Sequence, residues 1–474
     1  MRGTGSIRWQ NSRFCWRACS DRNESCTQSF EDSPVSNDDL ITSAFRRATR
    51  LGGLVTRVGM SLVTEQTLGF LRSDPIQQAR MLESQLKNAA RVVEALGEMK
   101  GAAMKVGQML SLHEGMMPPE IAVVLSALQK AAPNVSYRTM RRQIDAELPD
   151  ADTIFSSLER EPLAAASIGQ VYRGVLHDGR PVAVKVQYPE IGEVVRADLK
   201  NLKVLFGSLI AMFVKIDFDP LWEELSERLM EELDYRQEAA HMRAMAELHA
   251  DIPEVIVPLV IDEASTGRVL TMELVDAIEP ASACSQRYPQ SLKDRWGVLL
   301  FQFVVRGLLE HRFLHADPNF ANFGFRDDGR LVVYDYGCMK RVEPGLSRAY
   351  ASLARAVEQG NYEALPSLLK EMGVHHKTSG AAMELDLIKP IFDLAGDIFQ
   401  DSPPYRFRHD PELYDSLIDL GRTRWQDTTD IVFPRDMIFI DRTLGGLFAN
   451  LGSLEAAAPW RDLLVEFLEP VEKG

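Results

Sequence analysis

Apolar and polar positions change their period several times along the chain, and each change marks a new element. From about Asp74, residues Met81, Leu82, Leu86, Ala89, Val93, Leu96, Met99, Ala103, Val106 and Leu110 recur at steps of three and four. That period predicts a long amphipathic helix ending near Leu112. Pro118 and Pro119 open a second, short helix. Past Pro149 the character changes. Val171 to Leu176 and Val182 to Val186 are rich in β-branched residues, and the HDGR between them suits a hairpin turn. The stretch TIFSSLEREPLAAASIGQVYRGVLHDGRPVAVKVQYP therefore reads as strand, tight loop, strand, turn, strand. The helical stretch LWEELSERLMEELDYRQEAAHMRAM follows, then EVIVPLVIDEA and GRVLTMELVDA, which read as another strand pair. From Ser291 onward the chain is mainly helical, broken at 311 to 340 by loops and a short strand. No internal repeat is visible.

A strand-rich unit followed by a helical one predicts an α+β protein of two lobes with a cleft between them, where ligands commonly sit. The expected division is a tail with an amphipathic segment over 1–73, a helical extension over 74–149, a small lobe over 150–278, and a large lobe with a helical C-terminal extension over 279–474. Segment 46–63, RRATRLGGLVTRVGMSLV, is basic and amphipathic; it suits a bilayer surface or packing on the rest of the protein. The C-terminal segment containing FPRDMIFIDRTLGGLFANLGS reads as a helical cap on the large lobe, without chemistry of its own.

Composition narrows the function. With 474 residues, 45% hydrophobic and 26% charged, the chain carries enough apolar material for a large core. A formal net charge of -15 argues against nucleic acid as a main partner, since phosphate backbones call for a basic face. Five cysteines, three of them in the first 26 residues, make no disulfide framework and point to a reducing compartment. Cys15, Cys19 and Cys26 have no fourth Cys or His at a ligating distance, so no metal is expected there. The longest apolar run, Val204 to Val214, is too short to span a bilayer. The first 20 residues carry Arg2, Arg8, Arg13 and Arg17 and no acid, as in a mitochondrial targeting segment. Residues 1–40 as a whole read as a disordered tail, the preferred interpretation.

Four short motifs carry the chemistry. Lys185 sits inside the apolar strand VAVKVQYP, where an unpaired ammonium is costly and needs an anion unless the strand is an edge facing water. Glu238, on the following helix, is a candidate partner, in the arrangement by which kinases position nucleotide phosphates. The strand LVVYDYGCM delivers Asp335 at a turn, like the metal-holding Asp-Phe-Gly of kinases. Between them, RFLHADPNFANFG places Asp317 and Asn322 at the kinase catalytic-loop spacing, with His315 just before. Each signal alone is weak, but their order along the chain is that of a kinase. The expected glycine-rich loop is missing. AAASIGQV, residues 164–171, stands in its place, and alanine allows less close backbone approach than glycine.

These stretches, together with MKGAAMKVGQMLS at 99–111, resemble the UbiB/ADCK atypical kinases, the AarF-domain family, over about residues 75 to 420. The form DPNFAN is closest to the coenzyme Q-biosynthesis branch. The resemblance implies a two-lobed protein-kinase-like fold in which Lys105 and Gln108, from the family's KxGQ motif, lie on a helix folded over the cleft. There Lys105 meets the carboxylates of Glu232 and Asp234. It implies the ion pair Lys185–Glu238, Asp317 as catalytic aspartate, and Asn322 and Asp335 as Mg²⁺ ligands. Ala164, Ala165, Ala166, Ser167 and Gln170 would cover the phosphates of ATP or ADP. Met272, Glu273, Leu274, Val275 and Asp276 would form the hinge beside adenine, with Met272 as gatekeeper. The expected activity is that of a kinase or ATPase closed to protein substrates by the KxGQ helix and serving ubiquinone biosynthesis or quinone-lipid handling. Expected partners are nucleotide, quinone precursors or membrane lipid, and other quinone-biosynthesis proteins. The rival readings are a small-molecule phosphotransferase and a nucleotide-switched lipid-binding scaffold. The expected location is cytoplasmic, peripheral at the inner membrane, or the mitochondrial matrix if the N-terminus is a targeting segment.

Overall fold

The computed structural model describes residues 135–473, apart from 204–218, 400–403, 409–430 and a few isolated positions. The chain divides into two units, Met1–Ser43 and Ala44–Gly474, and the described residues all belong to the second. The predicted helix over 74–112, the basic segment 46–63, Lys105, Gln108 and Ser167 lie outside the described residues.

The described chain begins with helix α1 (Tyr137–Glu147), capped by the Ser136 hydroxyl on the Thr139 amide. Its buried Met140 and Ile144 face the first sheet. That sheet is antiparallel: β1 (Phe155–Ala165), β2 (Gly169–Leu176), β3 (Pro181–Gln187), then β5 (Val269–Glu273) at the far side. In β3, Val182 to Gln187 are all buried, which explains its nearly continuous apolar run. The β2–β3 register sets Val171 against Lys185, and β3–β5 sets Lys185 against Leu270, so Lys185 lies on an interior strand.

The helical stretch that follows is two helices. Helix α2 (Asp219–Glu231) ends before Glu232, and α3 (Tyr235–Leu248) starts after Asp234, whose carboxylate accepts from the Arg236 amide as an N-cap. The Tyr235 amide donates to the Gly267 carbonyl and ties the start of α3 to the sheet. The segment EVIVPLVIDEA also divides. Its first part, β4 (Val255–Ile256), pairs in parallel with β8 (Leu331–Val333) in a second sheet, while Val260 bridges Met272 of β5. Pro258 lies between, with no amide to donate, so a continuous ladder stops there.

The large lobe is built on α4 (Gln290–Leu309), whose buried Trp296, Leu300, Phe301, Phe303 and Leu308 form its centre. Against it lie two small sheets: β6 (Phe313–His315) with β9 (Met339–Arg341), and β4–β8 with β7 (Phe323–Phe325). Helices α5 (Pro344–Glu358), α6 (Leu385–Ile398), α7 (Arg435–Leu454) and α8 (Trp460–Lys473) also belong to it, with shorter helices at Pro280–Ala283 and Leu365–Glu371. Helix α7 packs along α4, and Gly297 eases the approach: a Cβ there would stand 3.3 Å from Leu451 Cδ2 of α7 and 2.4 Å from Cβ of Ala456, just past the end of α7.

Candidate active site

Lys185 Nζ lies 2.7 and 2.9 Å from the two carboxylate oxygens of Glu238, and 2.9 Å from Asp335 Oδ2. The two side chains of the inner pair are 10% and 4% exposed, whereas Asp335 is 40% exposed. Three sequence-distant motifs, on β3, α3 and the turn after β8, therefore meet at one ammonium. Burial would lower the lysine's pKa, but Asp335 and Glu238 hold it well above the ordinary value. Burial pushes the Glu238 carboxyl up, to about 7, against the pull of Lys185. The Tyr235 ring lies under the ammonium, 5.2 Å from centroid to Nζ.

The turn after β8 is held on both flanks. Gly337 N–H donates to Asp335 Oδ1, and the backbone carbonyls of Asp335 and Tyr336 contact His315 Nε2 and His241 Nδ1 at 2.7 and 3.0 Å. Tyr336 is fully buried. Its neighbour Tyr334 donates its amide to the Asn322 carbonyl and its hydroxyl to the Val275 carbonyl. One residue thus links the turn to the Asp317 loop and to the segment that follows β5. Gly324 makes room for that ring, since a Cβ there would stand 2.7 Å from the Tyr334 hydroxyl.

The loop after β6 is fixed by the Ala316 amide on the Cys338 carbonyl. Within it Asn322 Nδ2 donates to Asp317 Oδ2 at 3.0 Å, and the Asn319 amide to Asp317 Oδ1 at 3.4 Å. Asp317 also meets a residue that the sequence did not flag. Arg442 Nη2, from α7, lies 3.4 Å from Asp317 Oδ1. Helix α7 closes on this loop because Gly446 faces Pro318, where a Cβ would stand 2.2 Å from Pro318 Cβ, and because Asn450 donates to the Pro318 carbonyl. The cap expected to be chemically inert therefore touches the candidate catalytic loop. Two sequence signals were available: the loop HADPNFAN has no Lys or Arg, and a Gly-Gly pair inside a helix marks a close approach.

Other predicted residues are placed as follows. Glu232 packs on the turn, its Cγ 3.6 Å from where a Gly337 Cβ would be. Asp234 caps α3 and lines an open groove with Glu147, Arg236, Gly267 and Arg268. The structure therefore sends the two acids of that pair to different surroundings. Ala164 and Ala165 pair with Val171 and Gln170 at the β1–β2 turn, closed by the Ala166 amide on the Gly169 carbonyl. Gln170 is buried inside the small lobe, its amide donating to the Val135 carbonyl and its oxygen accepting from the Tyr172 hydroxyl. Met272 is buried at the end of β5, and Glu273 is exposed. Leu274 N–H donates to the Pro181 carbonyl, Val275 accepts from Tyr334, and the Asp276 carbonyl accepts from Arg326.

The donor set suits a hard cation. Asp335 offers a half-exposed carboxylate, and Asn322 keeps its amide oxygen while its nitrogen is engaged by Asp317. Among the described residues no three His, Cys, Asp or Glu side chains cluster as a metal cage. Magnesium bound by one or two protein oxygens and shared with phosphates needs none.

Comparison with known proteins gives a consistent picture. The profile of the ABC1 atypical kinase-like domain matches residues 127–369. The rat protein named "Atypical kinase COQ8B, mitochondrial" is 33% identical over 323 residues, 67% of this chain and 61% of that protein. "Atypical kinase coq-8, mitochondrial" of Caenorhabditis elegans is 32% identical over 380 residues, 76% of this chain and 50% of that protein. The chain thus spans about half to three fifths of the length of these two relatives. Among solved structures, "The complex structure of Rv3197-erythromycin from Mycobacterium tuberculosis" superposes with a TM-score of 0.58 at 28% identity, covering 82% of this chain and 97% of the other.

Proposed function

Since the chain belongs to the ABC1 atypical kinase-like family, on the branch of the COQ8 relatives, we propose that it binds a magnesium nucleotide between its lobes and turns it over as an atypical kinase or ATPase. The observation that carries this reading is the convergence of Lys185, Glu238 and Asp335 on one ammonium, beside a loop that pairs Asp317 with Asn322.

Asn322 and Asp335 would hold the metal, which when bound would neutralise phosphate charge. Glu238 fixes the reach of Lys185, so that the ammonium is presented to phosphate oxygens at a set height above Asp335. Asp317, held through both carboxylate oxygens, would orient the hydroxyl or water that attacks. The hinge 272–276 would meet the base, and the alanine-rich turn 164–167 would lie over the phosphates. The names of the relatives support service to coenzyme Q biosynthesis and a mitochondrial location. Among the described residues no helix is long and apolar enough to cross a membrane. Closure of the cleft by the KxGQ segment, with Lys105 and Gln108 pointing into the active site and Lys105 meeting the carboxylates of Glu232 and Asp234, belongs to the same proposal.

The test is Mg²⁺-dependent ATP hydrolysis by the purified chain, with and without liposomes carrying anionic lipid, beside Asp335→Asn. Turnover lost in the variant supports the reading. Turnover that survives in Asp335→Asn refutes this site assignment, and lipid stimulation without a phosphorylated product favours an ATPase over a kinase.

A further inference from the structure

We propose that Arg442, from the C-terminal helix α7, is a positioning residue of the phosphoryl-transfer site, supplying the cation that the loop around Asp317 lacks. The inference rests on the nucleotide reading above and adds a residue lying beyond the segment 127–369 that matches the family profile.

The argument starts from charge. Asp317 must keep one orientation to direct a nucleophile, and a carboxylate on a short loop rotates unless both oxygens are held. Asn322 holds Oδ2 at 3.0 Å. Oδ1 receives the Asn319 amide at a long 3.4 Å, and the guanidinium of Arg442 reaches it from α7, also at 3.4 Å. From His315 to Asn322 the sequence has no Lys or Arg, so the loop cannot supply a cation itself.

Burial sharpens the point. The Arg442 side chain is 8% exposed and that of Asp317 19%. Arg442 Nε is buried without a hydrogen-bond partner. A buried donor left unsatisfied works against stability, and a guanidinium is costly to bury unless it faces an anion. Folding alone gives no reason to keep an arginine there, whereas holding a carboxylate does. The approach is also built in. Gly446, one turn on, leaves no Cβ to strike Pro318, and Asn450, two turns on, takes the Pro318 carbonyl. Helix α7 thus grips the loop along three successive turns, with the Arg442 guanidinium at Asp317.

The experiment uses the full chain with Arg442→Gln and Arg442→Lys, reading kcat and KM for Mg-ATP turnover, Mg-ATP affinity by calorimetry, and thermal melting. Arg442→Gln is expected to lower kcat by about tenfold or more while Mg-ATP affinity stays within about threefold. Arg442→Lys should fall between, because it keeps the charge but not the fork. Should Arg442→Gln melt early, Arg442→Lys decides: a several-fold loss of kcat at native melting supports the role. Unchanged kcat in a folded variant, or a loss of affinity matching the loss of kcat, overturns it while leaving the nucleotide reading intact. A wild-type chain without Mg²⁺-dependent turnover overturns both.

Discussion

Replacing Lys185 with Met tests whether the buried triad is an electrostatic unit. The substitution keeps an unbranched apolar stem and removes the ammonium that lies within 2.9 Å of three carboxylate oxygens. Glu238, 4% exposed, is left without its counter-charge. Breaking a buried pair in this way costs about 3–5 kcal/mol. In the wild type the Glu238 carboxyl already stands at about 7, raised by burial against the pull of Lys185. Without Lys185 the carboxyl rises further. An acid whose pKa is raised by folding contributes stability at low pH and loses it as pH rises through the folded value. In the wild type that loss levels off near pH 7; in Lys185→Met it continues. Urea unfolding followed by tryptophan fluorescence should show the variant destabilised by about 3 kcal/mol at pH 7, the gap widening by about 1 kcal/mol at pH 8. Adding Glu238→Gln should abolish the widening. A gap that is the same at pH 6 and pH 8, or a double variant with the same slope as the single one, would refute the reasoning.

Two further perturbations probe the scaffold. His249 is buried against Phe303 and His311, and burial lowers its pKa from 6.5 to about 4. A base whose pKa is depressed by folding costs stability as pH falls from its unfolded value, here about 2 kcal/mol by pH 5. His249→Phe should lose less stability between pH 7.5 and 5 in urea titrations; an unchanged acid slope counts against this assignment. Gly169→Ala would place a Cβ 2.2 Å from the Val186 carbonyl oxygen, one residue from Lys185. It should lower stability by about 2 kcal/mol or more and weaken Mg-ATP binding, and native melting would show that β2 can yield there.

Local pattern carried much of the fold. The β1–β3 hairpins were legible because β-branched runs and the HDGR turn are short-range signals, and Lys185 stood out as a charge inside an apolar strand. Where tertiary contact overrides local pattern, the sequence was less informative. The stretch 221–245 has a helical period throughout, yet Asp234 caps a new helix because Tyr235 is tied to Gly267. The run from Glu254 to Ala264 looks like one strand, yet Pro258 separates two pairings in different sheets. Gln170 follows the alanine-rich turn in the chain, but its side chain is drawn into the small-lobe core by Tyr172. The contact between Arg442 and Asp317 joins residues 125 positions apart, and no period in α7 announces it.

The central claim, a magnesium nucleotide held at Asp335, is tested most directly by calorimetric titration of Mg-ATP into the wild type and into Asp335→Asn. The account predicts saturable, Mg²⁺-dependent binding by the wild type, and a loss of at least about tenfold in affinity when the carboxylate becomes an amide. Equal affinity in the two proteins, or binding indifferent to Mg²⁺, would contradict it.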